Sequence, residues 1–215
     1  MEDFMRANQL MPHDTTALLC HAMHYIRTKN FPVAVQDLNQ ILERDPTNAD
    51  MYILRGQCLV EQGRFELACA DFSAAIYLKP DDPEPFFQRG CLLRTQYPER
   101  ALSDFSISLV LDYSEKNLRS LLHRGILYFE IGLDREAECD FEAILRIDRD
   151  HPAAHTNLGR IYLNKRMDFP RAVKRFTTAL RADPTYREAY LCRAEAYAKL
   201  KNVTFSTFIQ DYLVG

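Results

Sequence analysis

Two stretches of the chain follow the same plan: RGQCLVEQGRFELACADFSAAIYLKP at residues 55–80 and RGILYFEIGLDREAECDFEAILRIDR at residues 124–149. Each begins with Arg-Gly and places an Ala and then Asp-Phe at the same later offsets. Further copies of the second half lie at residues 104–113 and 175–184, so the period is about 34 residues. A period of this length predicts a repeat architecture in which each unit packs on its neighbours.

Small and aromatic residues fall into columns when each repeat is numbered so that Gly56 is position 8. Position 8 is small in six copies: Ala22, Gly56, Gly90, Gly125, Gly159 and Ala194. Position 20 is alanine in five copies, given a one-residue deletion near Pro98 and a one-residue insertion before Pro170: Ala34, Ala68, Ala101, Ala137 and Ala172. Position 24 holds Leu38, Phe72, Phe105, Phe141 and Phe176.

These columns predict pairs of closely packed antiparallel helices. Small residues at positions 8 and 20 let the two helix axes approach each other, and the aromatic residue at position 24 is expected to fill the space between one pair and the next. Proline cannot continue a helix. Pro46, Pro80 and Pro184 at position 32 therefore predict the helix exits. Pro32, Pro98 and Pro170 suit the first turn of the second helices.

The pattern resembles the tetratricopeptide repeat family over almost the whole chain. The resemblance implies an all-α fold, an α-solenoid of antiparallel helix pairs wound into a right-handed superhelix. Full repeats are expected at residues 15–48, 49–82, 83–117, 118–151 and 152–186. A second-helix remnant of a partial repeat is expected at residues 1–14, and an incomplete C-terminal repeat, with a first helix and most of a second, at residues 187–215.

Apolar residues near both ends, such as Phe4 and Tyr212, would lack a neighbouring repeat to pack against. We therefore expect a segment or short isoform of a longer array, an end covered by a partner, or self-association through the truncated ends. Fraying of the ends is the alternative.

The family resemblance implies a surface for binding other proteins. In such an architecture the first helices line a concave face, with positions 2, 5, 9, 12 and 13 pointing into it. Positions 5 and 9 form an apolar stripe in the first four repeats and a polar, charged one in the last two. The predicted peptide-binding groove consists of Leu19, Met23, Ile53, Gln57, Phe87, Cys91, Leu122 and Ile126. Such a groove suits an extended peptide or an amphipathic helix, with Phe87 as the anchor. Alternatively, neighbouring residues cover most of these side chains.

One known activity of the family, the clamping of a chaperone's C-terminal carboxylate, is disfavoured by the residues at the clamp positions. Asn157 matches the clamp, but Leu122 and Ile126 stand where it has Lys and Asn, and Glu188 and Cys192 stand where it has Lys and Arg. Leu, Ile and Glu cannot hold a carboxylate.

Two charged columns change together along the chain. Position 7 holds Arg55, Arg89, Arg124 and Arg193. Position 23 holds Asp3, Asp37, Asp71, Asp104, Asp140 and Asp211. In the fifth repeat Leu158 and Arg175 replace the Arg and the Asp. We hypothesise that each Arg pairs with an Asp across packed helices; a row of acids that binds a metal or a substrate is the alternative.

Composition and motifs exclude several function classes. Net charge is −3, from 27 Lys and Arg against 30 Asp and Glu, which disfavours nucleic-acid binding. No apolar run reaches the roughly 18–20 residues that span a membrane. The cluster Cys20, His21 and His24 lacks a second pair of zinc ligands. No phosphate-binding, dinucleotide-binding or hydrolase motif occurs, so neither an enzyme, a metal nor a cofactor is predicted.

Charge is nevertheless uneven, with residues 31–84 rich in acids and residues 160–193 rich in bases. This distribution predicts steering of a bipolar partner or head-to-tail stacking of copies, unless these are ordinary solvated helix faces.

The sequence as a whole predicts a non-enzymatic adaptor that binds a peptide or helix of another protein. A structural subunit of a large assembly, held through its ends and convex face, is the second hypothesis. Six cysteines without a C-x-x-C pair and no visible signal peptide predict reduced thiols in the cytoplasm. Long arrays of this family are frequent in ciliary transport, so association with the cilium is a further implication of the resemblance.

Overall fold

The computed structural model describes residues 15–112 and 117–214, with side chains described as far as Lys201. This part of the chain forms eleven helices and no strand, which confirms the predicted all-α repeat fold. The chain divides into two compact units, residues 1–113 and residues 114–215. The second-helix remnant predicted at residues 1–14 lies outside the described residues.

Each unit is a series of helices that pack on their chain neighbours. The helices of unit 1 are α1 Thr16–Arg27, α2 Phe31–Arg44, α3 Ala49–Glu61, α4 Phe65–Leu78, α5 Pro83–Leu93 and α6 Pro98–Leu111. The helices of unit 2 are α7 Leu118–Glu130, α8 Asp134–Ile147, α9 Pro152–Asn164, α10 Phe169–Ala182 and α11 Arg187–Val214. Short turns between successive helices make neighbours antiparallel.

Prolines mark the helix ends as predicted. Pro98 is the first residue of α6, while Pro32 and Pro170 are the second residues of α2 and α10. A proline in the first turn costs no hydrogen bond, because its N–H would have no partner inside the helix. Pro46 and Pro80 follow the ends of α2 and α4 by two residues.

The turn inside four helix pairs contains a residue with positive φ, which ends the first helix. These residues are Lys29 (φ 59°), Gly63 (φ 72°), Gly132 (φ 84°) and Met167 (φ 52°). Glycine adopts this conformation without steric cost, whereas Lys29 and Met167 are strained there. The glycines could be read from the sequence as turn signals, but the two non-glycine residues could not.

The small and aromatic columns form one contact that recurs in both units. A Cβ added to Gly56 would lie 2.7 Å from Cε1 of Phe72, and one added to Gly159 would lie 2.5 Å from Cε1 of Phe176. Gly90 and Gly125 face Phe105 and Phe141 in the same way, at 2.8 and 2.7 Å. All four rings are fully buried. The close approach of the two helices is therefore confirmed, and each ring lies against the glycine of its own helix pair.

Helix α11 differs from the sequence prediction. It is one continuous helix of 28 residues, where a first helix followed by most of a second was expected. Residues 187–214 contain neither glycine nor proline, so the sequence supplies none of the residues that most readily end a helix.

Candidate functional site

The predicted groove residues of unit 1 are buried to very different extents. Ile53 and Phe87 are only 8% and 7% exposed, and the Phe87 ring lies 6.0 Å from that of Phe105. Met23 is 42% exposed, while Leu19, Gln57 and Cys91 are half-buried. The two largest apolar groups therefore belong to the packed interior, and the accessible surface is formed by residues around them.

The other predicted groove residues, Leu122 and Ile126, lie on α7 in unit 2. Both are half-buried and pack against the core of that unit. On α9, Thr156 is fully buried, whereas the guanidinium of Arg160 lies 5.3 Å from the Phe129 ring centre and 3.3 Å from Oε1 of Glu188. The first helices of unit 2 therefore change from apolar to charged along the chain, as the sequence predicted.

A depression of about 510 Å³ opens among α1, α3 and α5 of unit 1. Its large apolar side chains are those of Ile26, Phe31, Leu54 and Val60. Gln57 is the one predicted groove residue that takes part. Ile26 and Val60 share position 12 of their repeats, a position that also points toward the first-helix face. Listing position 12 beside positions 5 and 9 would have identified them from the sequence.

Charged side chains surround this depression and a thiol lines it. Arg27 and Lys29 lie on one side, and Glu61 completes the lining. Cys58 is 2% exposed, and burial raises the pKa of its thiol to about 11. Cys58 therefore stays protonated at neutral pH and acts as a packing residue rather than a nucleophile.

The charged columns form ion pairs within helix pairs, which confirms that hypothesis for three of the arginines. Arg55 donates from Nε and Nη2 to the two carboxylate oxygens of Asp71, at 2.8 and 2.6 Å. Arg89 with Asp104 and Arg124 with Asp140 repeat this bidentate geometry. Hydrogen bonds to the aspartates hold the pKa of all three arginines above its usual value. The side chain of Asp211, the expected partner of Arg193, lies outside the described residues.

Each of these arginines also has further contacts. The Arg55 guanidinium lies 5.3 Å from the Tyr52 ring centre, and its Nη1 donates to Asn39 of the preceding pair at 2.8 Å. Arg89 lies 5.9 Å from the Phe86 ring centre and donates to Ser73 Oγ at 3.1 Å. Arg55 and Arg89 therefore each link the second helix of their own pair to that of the pair before it.

His21 takes the place of the arginine in the first helix pair. Its Nδ1 lies 2.7 Å from Oδ2 of Asp37, and its ring packs edge-on against Tyr25. The sequence alone groups His21 with Cys20 and His24, both of which are exposed. Its position 7 in the repeat was the signal for its true partner. Among the described residues no group of three or more His, Cys, Asp or Glu side chains could hold a metal ion.

The fifth helix pair, α9–α10, has neither the arginine of position 7 nor the aspartate of position 23. Leu158 at position 7 is fully buried, and His155 at position 4 is 6% exposed. His155 Nε2 donates to the carbonyl of Arg149 at 2.9 Å, while its buried Nδ1 has no hydrogen-bond partner among the described residues. Burial lowers the pKa of His155, and nearby Arg175 contributes in the same direction. This pair contains no acid at position 23.

No helix in the described part of the chain is both long and apolar enough to cross a membrane.

Comparison with known proteins places these repeats in a family. Residues 21–83 and 165–204 match the family described as tetratricopeptide repeat. Human tetratricopeptide repeat protein 16 is 24% identical over 190 residues, which cover 79% of this chain and 21% of that protein. Chicken DnaJ homolog subfamily C member 3 is 27% identical over 212 residues, covering 91% of this chain and 41% of that protein. The chain thus spans less than half the length of these relatives.

Solved structures show the same fold. The tetratricopeptide repeat protein YrrB has a TM-score of 0.72 at 20% identity, covering 89% of this chain and 97% of its own. A tetratricopeptide repeat protein from Parabacteroides merdae has a TM-score of 0.76 at 19% identity, covering 93% of this chain and 79% of its own.

Proposed function

Because this chain belongs to the tetratricopeptide repeat family, whose members are in general protein-interaction modules, we propose that it is a non-enzymatic adaptor. Its ligand is a short extended peptide or an amphipathic helix of another protein, held on the face formed by the first helices of unit 1. The observation that carries the proposal is the depression of about 510 Å³ bounded by Ile26, Leu54 and Val60. Proteins bind apolar side chains in concave sites with a few polar groups at their edges.

The packing around the depression supports this assignment. Ile53 and Phe87 are buried and hold the first helices in register, so the ligand contacts the half-buried residues rather than these two. Met23 adds an exposed apolar side chain on α1. An entering apolar residue would lose its contact with water and gain about 25 cal/mol for each Å² that it buries. Arg27, Lys29 and Glu61 can fix its orientation.

The interior chemistry supports a non-enzymatic role. The described acids at position 23 of unit 1, Asp37, Asp71 and Asp104, contact His21, Arg55 and Arg89, so they form structural pairs rather than a row of free carboxylates. Burial raises the pKa of the Cys58, Cys69 and Cys192 thiols, which disfavours the nucleophilic thiolate. One structural neighbour, YrrB, is described as a repeat protein with an unusual peptide-binding site.

A photocrosslinking experiment tests the proposal. A benzophenone amino acid at Gln57 is expected to crosslink, in cell lysate, to one recurring peptide segment that mass spectrometry identifies. The double variant Met23→Glu/Val60→Glu should abolish that crosslink while circular dichroism shows an unchanged helix content. A crosslink that persists in this variant would contradict the proposed site.

A second candidate function, a structural subunit held through its outer surface, is favoured by two exposed side chains. Tyr77 on α4 and Val110 on α6 are 87% and 74% exposed at the same repeat position of their second helices. The variant Tyr77→Glu/Val110→Glu is therefore the matched control, with the same apolar-to-acidic change in the same unit. Partner capture that is lost in this control and retained in Met23→Glu/Val60→Glu would favour the structural subunit.

A further inference from the structure

Helix α10 of unit 2 carries a face of cations that the packing of the repeats does not explain. Arg171, Lys174, Arg175 and Thr178 line a depression of about 310 Å³, together with Tyr162 of α9. Their spacing of three, four and seven residues places them on one side of the helix. We name these four residues of α10 the basic face.

The matching positions of the helix pair α3–α4 are not basic. The helix pair α3–α4 has a depression of about 230 Å³ whose lining includes Leu59, Leu67 and Asp71. In the repeat numbering these residues correspond to Tyr162, Arg171 and Arg175. In that pair Arg55 forms an ion pair with Asp71, so the positive charge of Arg55 is neutralised inside the repeat.

Two cations of the basic face lack a carboxylate partner. In the part of the chain whose side chains are described, neither Lys174 nor Arg175 forms an ion pair. Arg171 contacts Asp168 at 3.2 Å, one turn before it on the exposed helix start. Such exposed pairs contribute little and leave the guanidinium able to change partners.

The depression also positions its cations. The Arg166 and Arg171 guanidinium groups lie 5.3 and 6.0 Å from the ring centre of Tyr162, which is itself 8% exposed. Arg166 is bound to Glu138 on α8. Tyr162 therefore supports the Arg171 side chain from below, which reduces the entropy that this arginine loses when it binds an anion.

We propose that the basic face docks an acidic peptide segment, rich in Asp and Glu, of a protein partner. Guanidinium groups bind carboxylates through two parallel hydrogen bonds, and Lys174 adds a third positive charge next to them. Arg181 continues the same side of α10, so the cationic surface is about 15 Å long at 1.5 Å per residue. That length matches a few residues of peptide.

The surroundings favour a peptide over larger polyanions. Asp150 lies near one end of the surface, and Asp168 lies at the other, so the positive region is short and has acidic limits. An extended anionic membrane surface or nucleic-acid backbone would also place its negative charges next to these two acids, which repel them. Sites for single-stranded nucleic acid need aromatic rings on which bases stack, and Tyr162 is too buried to serve as one. This surface is independent of the depression in unit 1.

Fluorescence anisotropy with the full chain tests the proposal. The probe is a fluorescein-labelled decapeptide of alternating Glu and Ala. We expect saturable binding that weakens as salt rises from about 50 to about 150 mM, because the Debye length falls over this range. The double variant Arg171→Glu/Lys174→Glu should bind about tenfold more weakly or worse, equivalent to a loss of about 1.4 kcal/mol.

The matched control is Arg146→Glu/Arg187→Glu, which makes the same change of net charge at two exposed sites on α8 and α11. It should change the affinity by less than about threefold, because screened distant charges contribute weakly. Equal losses in both variants would overturn the proposal by showing non-specific attraction. The absence of saturable binding up to about 200 µM protein would also overturn it.

Two further probes separate the other polyanions. Vesicles of phosphatidylcholine with phosphatidylserine and a ten-nucleotide single-stranded RNA are titrated under the same conditions. We expect each to bind the chain more weakly than the peptide does. Tighter binding of either one, lost in Arg171→Glu/Lys174→Glu, would overturn the peptide assignment and identify a membrane or RNA surface. Circular dichroism and the single variant Lys174→Glu, which leaves the Tyr162 contact intact, exclude loss of folding as the cause.

Discussion

The helix pairs α3–α4 and α9–α10 share one packing contact and differ in their charges. In both, a phenylalanine at position 24 lies against a glycine at position 8. In α3–α4, however, Tyr52, Arg55 and Asp71 form a stacked and hydrogen-bonded trio. In α9–α10, His155, Leu158 and Arg175 hold the corresponding positions.

This difference separates what the fold requires from what a single repeat can change. The glycine–phenylalanine contact sets how closely the two helices approach, so it persists in both pairs. The ion pair can be lost when both partners change together, because an apolar residue at position 7 leaves no buried charge without a partner. Position 23 of α10 then no longer needs an aspartate. It holds Arg175, which lines the surface depression instead of forming an ion pair inside the repeat.

The largest expected difference between the two pairs comes from replacing the residue at position 23. Asp71→Leu should lower the free energy of unfolding by about 2–4 kcal/mol, because it leaves the mostly buried Arg55 guanidinium without its partner. Arg175→Leu should change it by less than about 1 kcal/mol, since it breaks no ion pair. Urea denaturation of the full chain followed by circular dichroism measures both. Equal losses of unfolding free energy in the two variants would show that the Arg55–Asp71 ion pair does not distinguish α3–α4 from α9–α10.

Replacing the glycine at position 8 should cost similar amounts in both pairs. Gly56→Ala and Gly159→Ala each place a methyl group within 3 Å of a fully buried ring, at 2.7 and 2.5 Å. We expect a loss of about 1–2 kcal/mol in each after the gain in helix propensity. The first helix pair provides the control, because it combines Ala22 with Leu38 at these positions. Gly56→Ala/Phe72→Leu should therefore be more stable than Gly56→Ala alone; a further loss would contradict the steric account.

Removing both partners of an ion pair should make α3–α4 resemble α9–α10. The double variant Arg55→Leu/Asp71→Leu is expected to lie within about 1 kcal/mol of the natural chain, because it leaves no unpaired buried charge. Its stability, compared with each single variant in a double-mutant cycle, gives the coupling between the two side chains. A double variant as unstable as Asp71→Leu would show that Arg55 contributes mainly through Tyr52 and Asn39.

The sequence predicted features that recur in most copies of the repeat. The close approach of the helices at Gly56 and the Arg55–Asp71 pair could be identified because the same residue types return at the same offsets, whereas the contact of Phe72 with Gly56 came from the structure. Features present in a single copy were missed. The contact of His21 with Asp37 is not predicted, because a histidine replaces the arginine of position 7 in this copy alone.

Burial was the second limit, because it depends on neighbouring repeats rather than on the period. Phe87 and Ile53 share repeat position 5 with Leu191, yet they are almost fully buried, while Leu191 is 69% exposed. Position in the repeat therefore predicts a direction and not an accessible area. For the same reason position 12 gives only the direction of the Ile26 and Val60 side chains, and the depression beside them had to be located from the structure.

The smallest expected effect on stability concerns His155. This residue occupies repeat position 4 of α9–α10, where α3–α4 has the ring of Tyr52 that stacks on Arg55. Burial lowers the pKa of His155, so below about pH 6.5 the unfolded chain binds a proton that the folded chain does not. Its contribution to stability is therefore present above the unfolded pKa and decreases as the pH falls toward the lowered folded pKa. His155→Phe removes this titration, although it also removes the hydrogen bond to the Arg149 carbonyl at every pH.

Urea denaturation at pH 7.5 and 5.5 separates these two contributions of His155. The difference in stability between the natural chain and His155→Phe should shift in favour of the variant at the lower pH, because only the natural chain must keep an uncharged histidine in its folded state. Arg175 and His151 disfavour the charged ring and Asp150 favours it. Arg175→Leu should therefore reduce the shift, and a pH dependence identical in the natural chain and His155→Phe would show that His155 does not resist protonation.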